Sequence, residues 1–101
     1  MTRTNEIEFN WVLKLPKKDL ENLAEESDNF FHKNGKIIYP TERLIFLIDE
    51  DFNARGVVKI EEFSINDHGT SGKYKLIYTP NEEDKRVLSD IFKNMYLGGD
   101  F

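Results

Sequence analysis

A histidine stands beside an acid and close to two serines in one short stretch of the sequence. His68 follows Asp67, with Ser64 before it and Ser71 after it. Serine, imidazole and carboxylate are the groups of a hydrolytic triad, but in such triads the fold, not adjacency, brings the members together. A stretch rich in Asp, His, Ser and Gly is typical of a surface turn. We interpret it as a turn and keep His68 as an alternative catalytic residue.

The segment Gly69-Thr70-Ser71-Gly72-Lys73 has the glycines, hydroxyls and lysine of a loop that cradles phosphate. It lacks the spacing of a Walker loop, which must also be followed by a helix. Tyr74, Leu76 and Tyr78 instead alternate with Lys73, Lys75 and Ile77, which predicts a strand. The glycine-rich segment is therefore interpreted as part of a hairpin turn.

Two pairs of glutamates could supply the acid and base of a hydrolase. Glu6 and Glu8 alternate with apolar residues of a predicted strand and are expected to face water. Glu61 and Glu62 fall where the apolar parity of another strand changes, which predicts a β-bulge that can re-aim a side chain. We interpret both pairs as solvated strand residues and keep Glu61 and Glu62 as an alternative catalytic pair.

Metal ligation has few residue types to draw on, because the chain has no cysteine and only two histidines. His32 and His68 show no ligand spacing with the nearby acids. Asp49–Asn53 has the carboxylates of a calcium loop, but Ala54 stands at its sixth position and Ile60 at its twelfth, where glycine and glutamate are required. We predict a turn there, no metal site and no cofactor.

Basic residues fall near the two predicted hairpins. Tyr39 ends a strand before Pro40 and is the aromatic residue expected to be exposed. Trp11, Tyr74 and Tyr78 share the parity of apolar neighbours and are expected in the core. Exposed aromatic rings beside cations can bind anionic partners or stack on bases. The candidate interaction surface consists of Tyr39, Arg43, Lys33, Lys36, Lys73 and Lys75.

The amino-terminal half predicts a strand, a short helix and a hairpin. Residues 6–15 alternate between apolar and polar and predict one strand that Pro16 ends. Residues 17–27 have apolar residues at helical spacing behind Asp19 as a cap. The dipeptide Asn34-Gly35 suits a tight turn joining strands over 28–33 and 36–39, with Phe31 opposite Ile38.

The carboxy-terminal half predicts a second hairpin and a helix. Leu44–Ile48 is apolar without alternation, as in a central strand covered on both faces. Residues 54–65, bulged at Glu61-Glu62, pair across a polar turn with 73–78. Thr79 and Glu82 form a capping box with Pro80 between them, and the helix ends at Gly98-Gly99 before a loose tail. Its predicted buried face consists of Val87, Leu88, Ile91, Phe92 and Met95.

Length and composition fit one packed globule. The chain has 101 residues, 39% hydrophobic and 13% aromatic, and a net charge of -5, the wrong sign for binding polyanions at long range. No apolar run approaches the ~20 residues of a membrane span. We predict a single α+β domain over residues 1–101: a small antiparallel sheet or open barrel of about five to six strands, a short helix after the first strand, and a carboxy-terminal amphipathic helix.

Several segments resemble a family of short, uncharacterised bacterial proteins found mainly in cyanobacteria and bacilli. They are residues 5–13, 35–40, 47–50, 57–63 and 70–74. The resemblance implies a β-rich fold and no activity. The order of elements is also similar, more weakly, to the RNA-associated barrels of the PUA and ASCH kind.

The sequence thus predicts a non-enzymatic cytoplasmic domain that binds another protein, either itself or a heterologous partner, with an inhibitor or immunity-type protein as one subclass. The absence of a recognisable nucleophile, cofactor loop or metal constellation favours this function. An RNA-associated barrel is the first alternative, and a small enzyme using Glu61, Glu62 or His68 is the second. No membrane partner is expected, and nucleic acid is disfavoured by the acidic charge.

Overall fold

The computed structural model describes residues 7–21 and 23–97. The first strands are short and the later ones long. Their order along the chain is β1 (Ile7–Phe9), β2 (Val12–Lys14), a 3₁₀ turn (Lys17–Leu20), β3 (Asp28–Lys33), β4 (Lys36–Ile38), β5 (Leu44–Ile48), β6 (Ala54–Asn66), β7 (Gly69–Tyr78) and α1 (Glu82–Leu97).

Five strands form a curled sheet in the order β2-β5-β6-β7-β3, and β1 pairs with β4 in a separate two-stranded sheet. The β1–β4 and β2–β5 pairs are parallel and the others antiparallel. The large sheet is therefore a mixed half-barrel with one carboxy-terminal helix. This confirms the predicted α+β class.

The concave face of the half-barrel holds the main core. It consists of Leu13, Leu15, Leu20, Phe31, Ile37, Tyr39, Ile45, Leu47, Val58, Ile60, Tyr74 and Leu76. Every strand of the large sheet contributes, and so does β4 of the small one. The 3₁₀ turn adds Leu20, so the small sheet and this turn close the open side of the curl.

The helix α1 covers part of the other face. Phe92 is buried against Ile48 and Ala54, with Phe46 and Leu88 packed around them. The rings of Phe46 and Phe92 meet edge to face with centroids 5.3 Å apart. As predicted, β5 is an interior strand with apolar contacts on both of its faces.

The hairpin of β6 and β7 has the predicted bulge. Ile60 lies opposite Tyr74 and Glu62 opposite Lys73, so Glu61 has no residue opposite it. A bulge bends the strand locally and increases its twist, which suits a sheet that curls. The turn of this hairpin is shorter than predicted, because the strands pair out to Asn66 and Gly69.

The predicted single strand over residues 6–15 is wrong. The chain breaks at Asn10 and Trp11, so β1 joins the small sheet and β2 the large one. Trp11 is 66% exposed instead of buried. An alternating pattern cannot show that a strand changes partner part-way, because both halves keep the same period.

The predicted helix over residues 17–27 is also wrong, since only the 3₁₀ turn forms. Pro16 holds its N-cap position, and no side chain caps it. Leu20 is buried, as the helical spacing required, but Ala24 is exposed. Leu23 also packs against the core, but from non-helical chain, so the apolar spacing predicted these contacts and not the helix.

The predicted hairpin around Asn34-Gly35 does not form either. The chain does turn there, with Gly35 at φ 144°, but β3 pairs with β7 and β4 with β1. Thr70 lies between the two strands: its hydroxyl accepts from the Ile37 amide (2.9 Å) and donates to the Gly35 carbonyl (2.7 Å). The long strand β7 thus takes the place that β4 was predicted to fill beside β3.

The helix begins two residues later than the capping box predicts. Asn81, not Thr79, is the cap: its side-chain oxygen accepts from the Asp84 amide at 2.8 Å. The Thr79 amide donates instead to the Glu25 carboxylate. The predicted helix end at Gly98-Gly99 and the tail after it lie outside the described residues.

Three of the five residues of the predicted apolar face of α1 are exposed. Phe92 is buried and Leu88 half-buried, whereas Val87, Ile91 and Met95 are 47%, 47% and 55% exposed. The helix therefore contacts the sheet along a narrow strip centred on Phe92.

Asp49 organises the turn between β5 and β6. It is fully buried, and its carboxylate accepts from the backbone amides of Asp51 and Asn53 and from the Arg55 side chain at 2.9–3.0 Å. Burial alone would raise the pKa of Asp49, but these hydrogen bonds outweigh it and hold the pKa below its ordinary value.

Phe92→Ala is expected to lower the free energy of unfolding by about 3 kcal/mol, because it removes the central contact of α1 with the sheet. Val87→Ala, an exposed position of the same helix, should cost less than about 1 kcal/mol. Urea unfolding followed by circular dichroism measures both. Equal effects of the two substitutions would contradict the described packing.

Asp49→Asn is expected to destabilise the protein by about 1–3 kcal/mol at pH 7, because the neutral amide accepts these hydrogen bonds less strongly. The carboxylate's lowered pKa gives stability above the unfolded-state pKa of about 3.9, which is lost as pH falls through the folded value. The gap between wild type and variant should therefore narrow below about pH 4 in urea titrations. The exposed Asp67→Asn is the control, and a pH-independent gap would refute the role given to the charge.

Candidate interaction surface

The six residues predicted to form one interaction surface do not lie together in the structure. Lys73 and Lys75 are on β7, facing away from the main core. The Lys33 ammonium donates to the Lys14 carbonyl, near the far edge of the sheet. Burial, with Lys14 beside it, lowers the pKa of Lys33. Lys36 lies on β4 in register with Ile7, and Arg43 is exposed just before β5.

Tyr39 was expected to be exposed, and this is wrong. It is 2% exposed, and its ring packs edge to face against Phe31 and Phe63 with centroid distances of 5.5 and 6.1 Å. Burial raises the pKa of its hydroxyl far above the usual range. Tyr39 is a core residue of the half-barrel.

The aromatic residues predicted to be buried divide differently. Tyr74 is 1% exposed and lies in the core, as predicted, and burial raises its pKa to about 12. Tyr78 is 51% exposed at the end of the same strand, so its predicted burial is wrong. Pairing of β7 with β6 shifts register near Val57 and Val58, beside Tyr78, which changes the parity inferred from spacing.

Phe30 is the most exposed large hydrophobic residue described, at 80%. It lies on β3 directly opposite Lys73, on the face turned away from the core. A shallow depression of about 660 Å³ surrounds it, lined also by Asp19, His32 and Glu62. A phenylalanine ring exposed to this degree does not gain the free energy that burial would give it.

The strand that carries Phe30 is an edge of the sheet. β3 pairs with β7 on one side, and no described strand lies on the other. The Lys33 carbonyl faces Gly69, and the Leu76 carbonyl accepts from the Glu26 amide at 2.7 Å. Since backbone groups alternate in direction along antiparallel strands, Asn29, Phe31 and Lys33 bond to β7.

The remaining residues of β3 direct their backbone groups away from the sheet. These are Asp28, Phe30 and His32, whose side chains are also exposed. Native sheets usually protect such an edge with proline, lysine, a bulge or a covering loop. β3 has six residues, no proline and no register shift in its pairing, and the ammonium of its one lysine, Lys33, is engaged by the Lys14 carbonyl.

Charged side chains border this edge. The bulge aims Glu61 at two lysines, with its carboxylate oxygens 3.9 Å from the Lys73 ammonium and 3.7 Å from that of Lys75. One of the carboxylate oxygens is buried without a hydrogen bond among the described residues. Glu61 thus offsets part of the positive charge of these two lysines of the predicted basic surface.

The candidate catalytic residues are not assembled. Ser64 and Ser71 lie opposite each other on β6 and β7, but it is His32 that contacts Ser71, with Nδ1 2.7 Å from the hydroxyl. His68 lies in the hairpin turn, where its amide donates to the side chain of Asn66. Glu62 is exposed opposite Lys73.

A separate polar cleft of about 540 Å³ lies between α1 and the turn after β5. It contains basic side chains, but several are matched by acids: Lys17 pairs with Asp51, Arg55 with Asp49, and Lys85 with Glu82. Lys85 and Glu82 pair instead of the Glu82 and Arg86 that i,i+4 spacing would favour. This internal matching makes the cleft a weaker anion site than its lysines and arginines suggest.

Sequence reasoning did not single out Phe30, because the predicted hairpin gave its strand the wrong partner. The available signal was the doublet Phe30-Phe31, since neighbouring residues of a strand point to opposite faces. With Phe31 in the core, Phe30 has to lie on the other face.

Comparison with known proteins gives a fold and nothing more specific. No family model matches the sequence, and no curated protein matches it. The crystal structure of protein ytmB from Bacillus subtilis is similar, with a TM-score of 0.62 and 21% identity over 74% of this chain and 91% of that chain. At this identity the likeness concerns the fold alone.

Two further searches of the described residues gave negative results. No described helix is long and apolar enough to cross a membrane. No three histidine, aspartate or glutamate side chains within the described ranges are grouped so that they could hold a metal ion.

Gly72→Ala is expected to destabilise the protein by about 1–3 kcal/mol, because the added methyl group would collide with the Glu62 carbonyl, the Phe31 ring and Phe63. This glycine lets β3 lie close against β7. Ser71→Ala, an exposed neighbour, is the control and should cost well under that. Thermal and urea unfolding of both variants test it, and a neutral Gly72→Ala would show that β3 packs less closely than described.

Proposed function

We propose that this chain is a non-enzymatic, cytoplasmic protein-binding domain, and that the edge of β3 is its binding surface. The observation that carries the proposal is an unprotected edge strand whose central residue, Phe30, is 80% exposed. An extended segment of a partner can add to such an edge, with backbone hydrogen bonds supplying affinity and side chains supplying specificity.

The chemistry of the edge favours a polypeptide over a nucleic acid. The outward backbone groups of Asp28, Phe30 and His32 match another strand. Asp28 and Glu62 near the edge repel phosphates, and Glu61 offsets Lys73 and Lys75. The proposal includes membership in the family of short bacterial proteins that the sequence resembles.

The test places a photo-crosslinking benzoylphenylalanine at residue 30 in the full chain, expressed in its host. Covalent adducts with a polypeptide are expected at this position, because it lies at the centre of the proposed interface. The matched control is residue 9, a phenylalanine that is 71% exposed on β1. Mass spectrometry identifies the crosslinked species.

Adducts with RNA would favour the RNA-associated barrel instead. Equal crosslinking at residues 9 and 30 would indicate non-specific contact and would overturn the proposal. The absence of any adduct at residue 30 would overturn it as well. A Phe30→Ser variant distinguishes the contribution of the aromatic ring to binding from that of the backbone. It removes the ring and keeps the backbone groups of the β3 edge. Its capture of the same polypeptide should fall at least about tenfold.

A further inference from the structure

We infer that the partner of the β3 edge is a second copy of this chain, which pairs antiparallel with it around a twofold axis at Phe30. This inference rests on the proposed function and identifies the polypeptide that binds the β3 edge. The geometry of the edge and the order of its side chains support it.

A twofold axis that joins two sheet edges antiparallel must run perpendicular to the sheet. The outer faces of both copies then lie on the same side, so a residue can lie opposite only a residue of its own face. Asp28, Phe30 and His32 share the outer face. The permitted registers are therefore few.

With the axis at Phe30, each outward residue meets a complementary one. Phe30 lies opposite Phe30 of the second copy, and Asp28 lies opposite its His32. Aromatic pairs and oppositely charged or hydrogen-bonding pairs are the stabilising cross-strand combinations. Moving the axis to residue 29 would place Phe30 opposite Asp28 and leave His32 without a partner within β3. Moving it to residue 31 would place Phe30 opposite His32 and leave Asp28 without one.

The backbone agrees with this register. Asp28, Phe30 and His32 are the residues whose N–H and C=O groups face outward, so all three form hydrogen-bonded pairs across the axis. The two half-barrels then form one continuous sheet with no free β3 edge.

The side chain of His32 is held in place for this contact. Its Nδ1 lies 2.7 Å from the Ser71 hydroxyl on the neighbouring strand, which leaves Nε2 free to donate to the Asp28 carboxylate of the second copy. In the dimer the Phe30 rings of the two copies contact each other. This contact takes the most exposed large hydrophobic side chain described in the chain out of water.

Sedimentation of the full chain tests the inference across about 1 μM to 1 mM, because a dimer held by one strand pair lies at the weak end of interfaces. The wild type should dimerise. Phe30→Glu should raise the dissociation constant at least about tenfold, since it places two like charges opposite each other. Phe9→Glu, the matched exposed phenylalanine, should change nothing.

The decisive sedimentation experiment uses a mixture of two variants. Phe30→Glu and Phe30→Lys should each be monomeric, but an equal mixture should form a heterodimer, because residue 30 faces itself only in this register. A wild type that remains monomeric at 1 mM, an equal loss in Phe9→Glu, or a mixture that stays monomeric would each overturn the inference.

A second measurement does not depend on charge. The chain has no cysteine, so Phe30→Cys introduces a single thiol. Residues facing each other across a twofold strand pair lie about 5.5 Å apart at Cα, within disulfide range. Oxidation should give a disulfide-linked dimer with Phe30→Cys and at least about tenfold less with Phe9→Cys.

The two proposals fail separately. If residue 30 crosslinks to a different polypeptide while the wild type stays monomeric, the proposed protein-binding function stands. The inference that the partner is a second copy of this chain is then wrong. If neither crosslinking nor dimerisation involves residue 30, both are wrong.

Discussion

The hairpin of β6 and β7 holds the rest of the structure together, because β5 pairs along one of its sides and β3 along the other. At 13 and 10 residues its strands are the longest described. The bulge at Glu61 lets this long ribbon bend, so that Val58, Ile60, Tyr74 and Leu76 line a concave face. Without the bend, the small sheet and the 3₁₀ turn would have no hollow to close.

The parts of the fold that depend on local pattern followed from the sequence. The parity change at Glu61-Glu62 gave the bulge, and the unbroken apolar run Leu44–Ile48 gave an interior strand. Strand partners were harder to predict. The sequence predicted that β3 and β4 pair with each other because they are adjacent in the chain, whereas β3 pairs with β7 and β4 with β1. The position of Thr70, which bonds to residues on either side of the Asn34-Gly35 turn, is visible only in three dimensions.

The candidate surface shows the same division. Lys73 and Lys75 do lie together, because they share one strand and one face. Tyr39 and Lys33 do not join them, since their directions depend on which sheet or edge their strands enter. Phe30 could have been identified from the doublet with Phe31, but its exposure follows from β3 being an edge, which is a property of the whole sheet.

The order of strands also bears on how the chain folds. β3 and its partner β7 are about forty residues apart in sequence, and β2 and β5 about thirty. Both edges of the sheet thus come from the amino-terminal third and join strands made later, β2 pairing with β5 and β3 with β7 of the hairpin. Contacts between distant residues slow folding, because a long loop must close before they form. During synthesis the first thirty or so residues leave the ribosome before the strands that will receive them. Residues 28–33, with two adjacent phenylalanines, therefore have no strand partner until β7 has been made, about forty residues later.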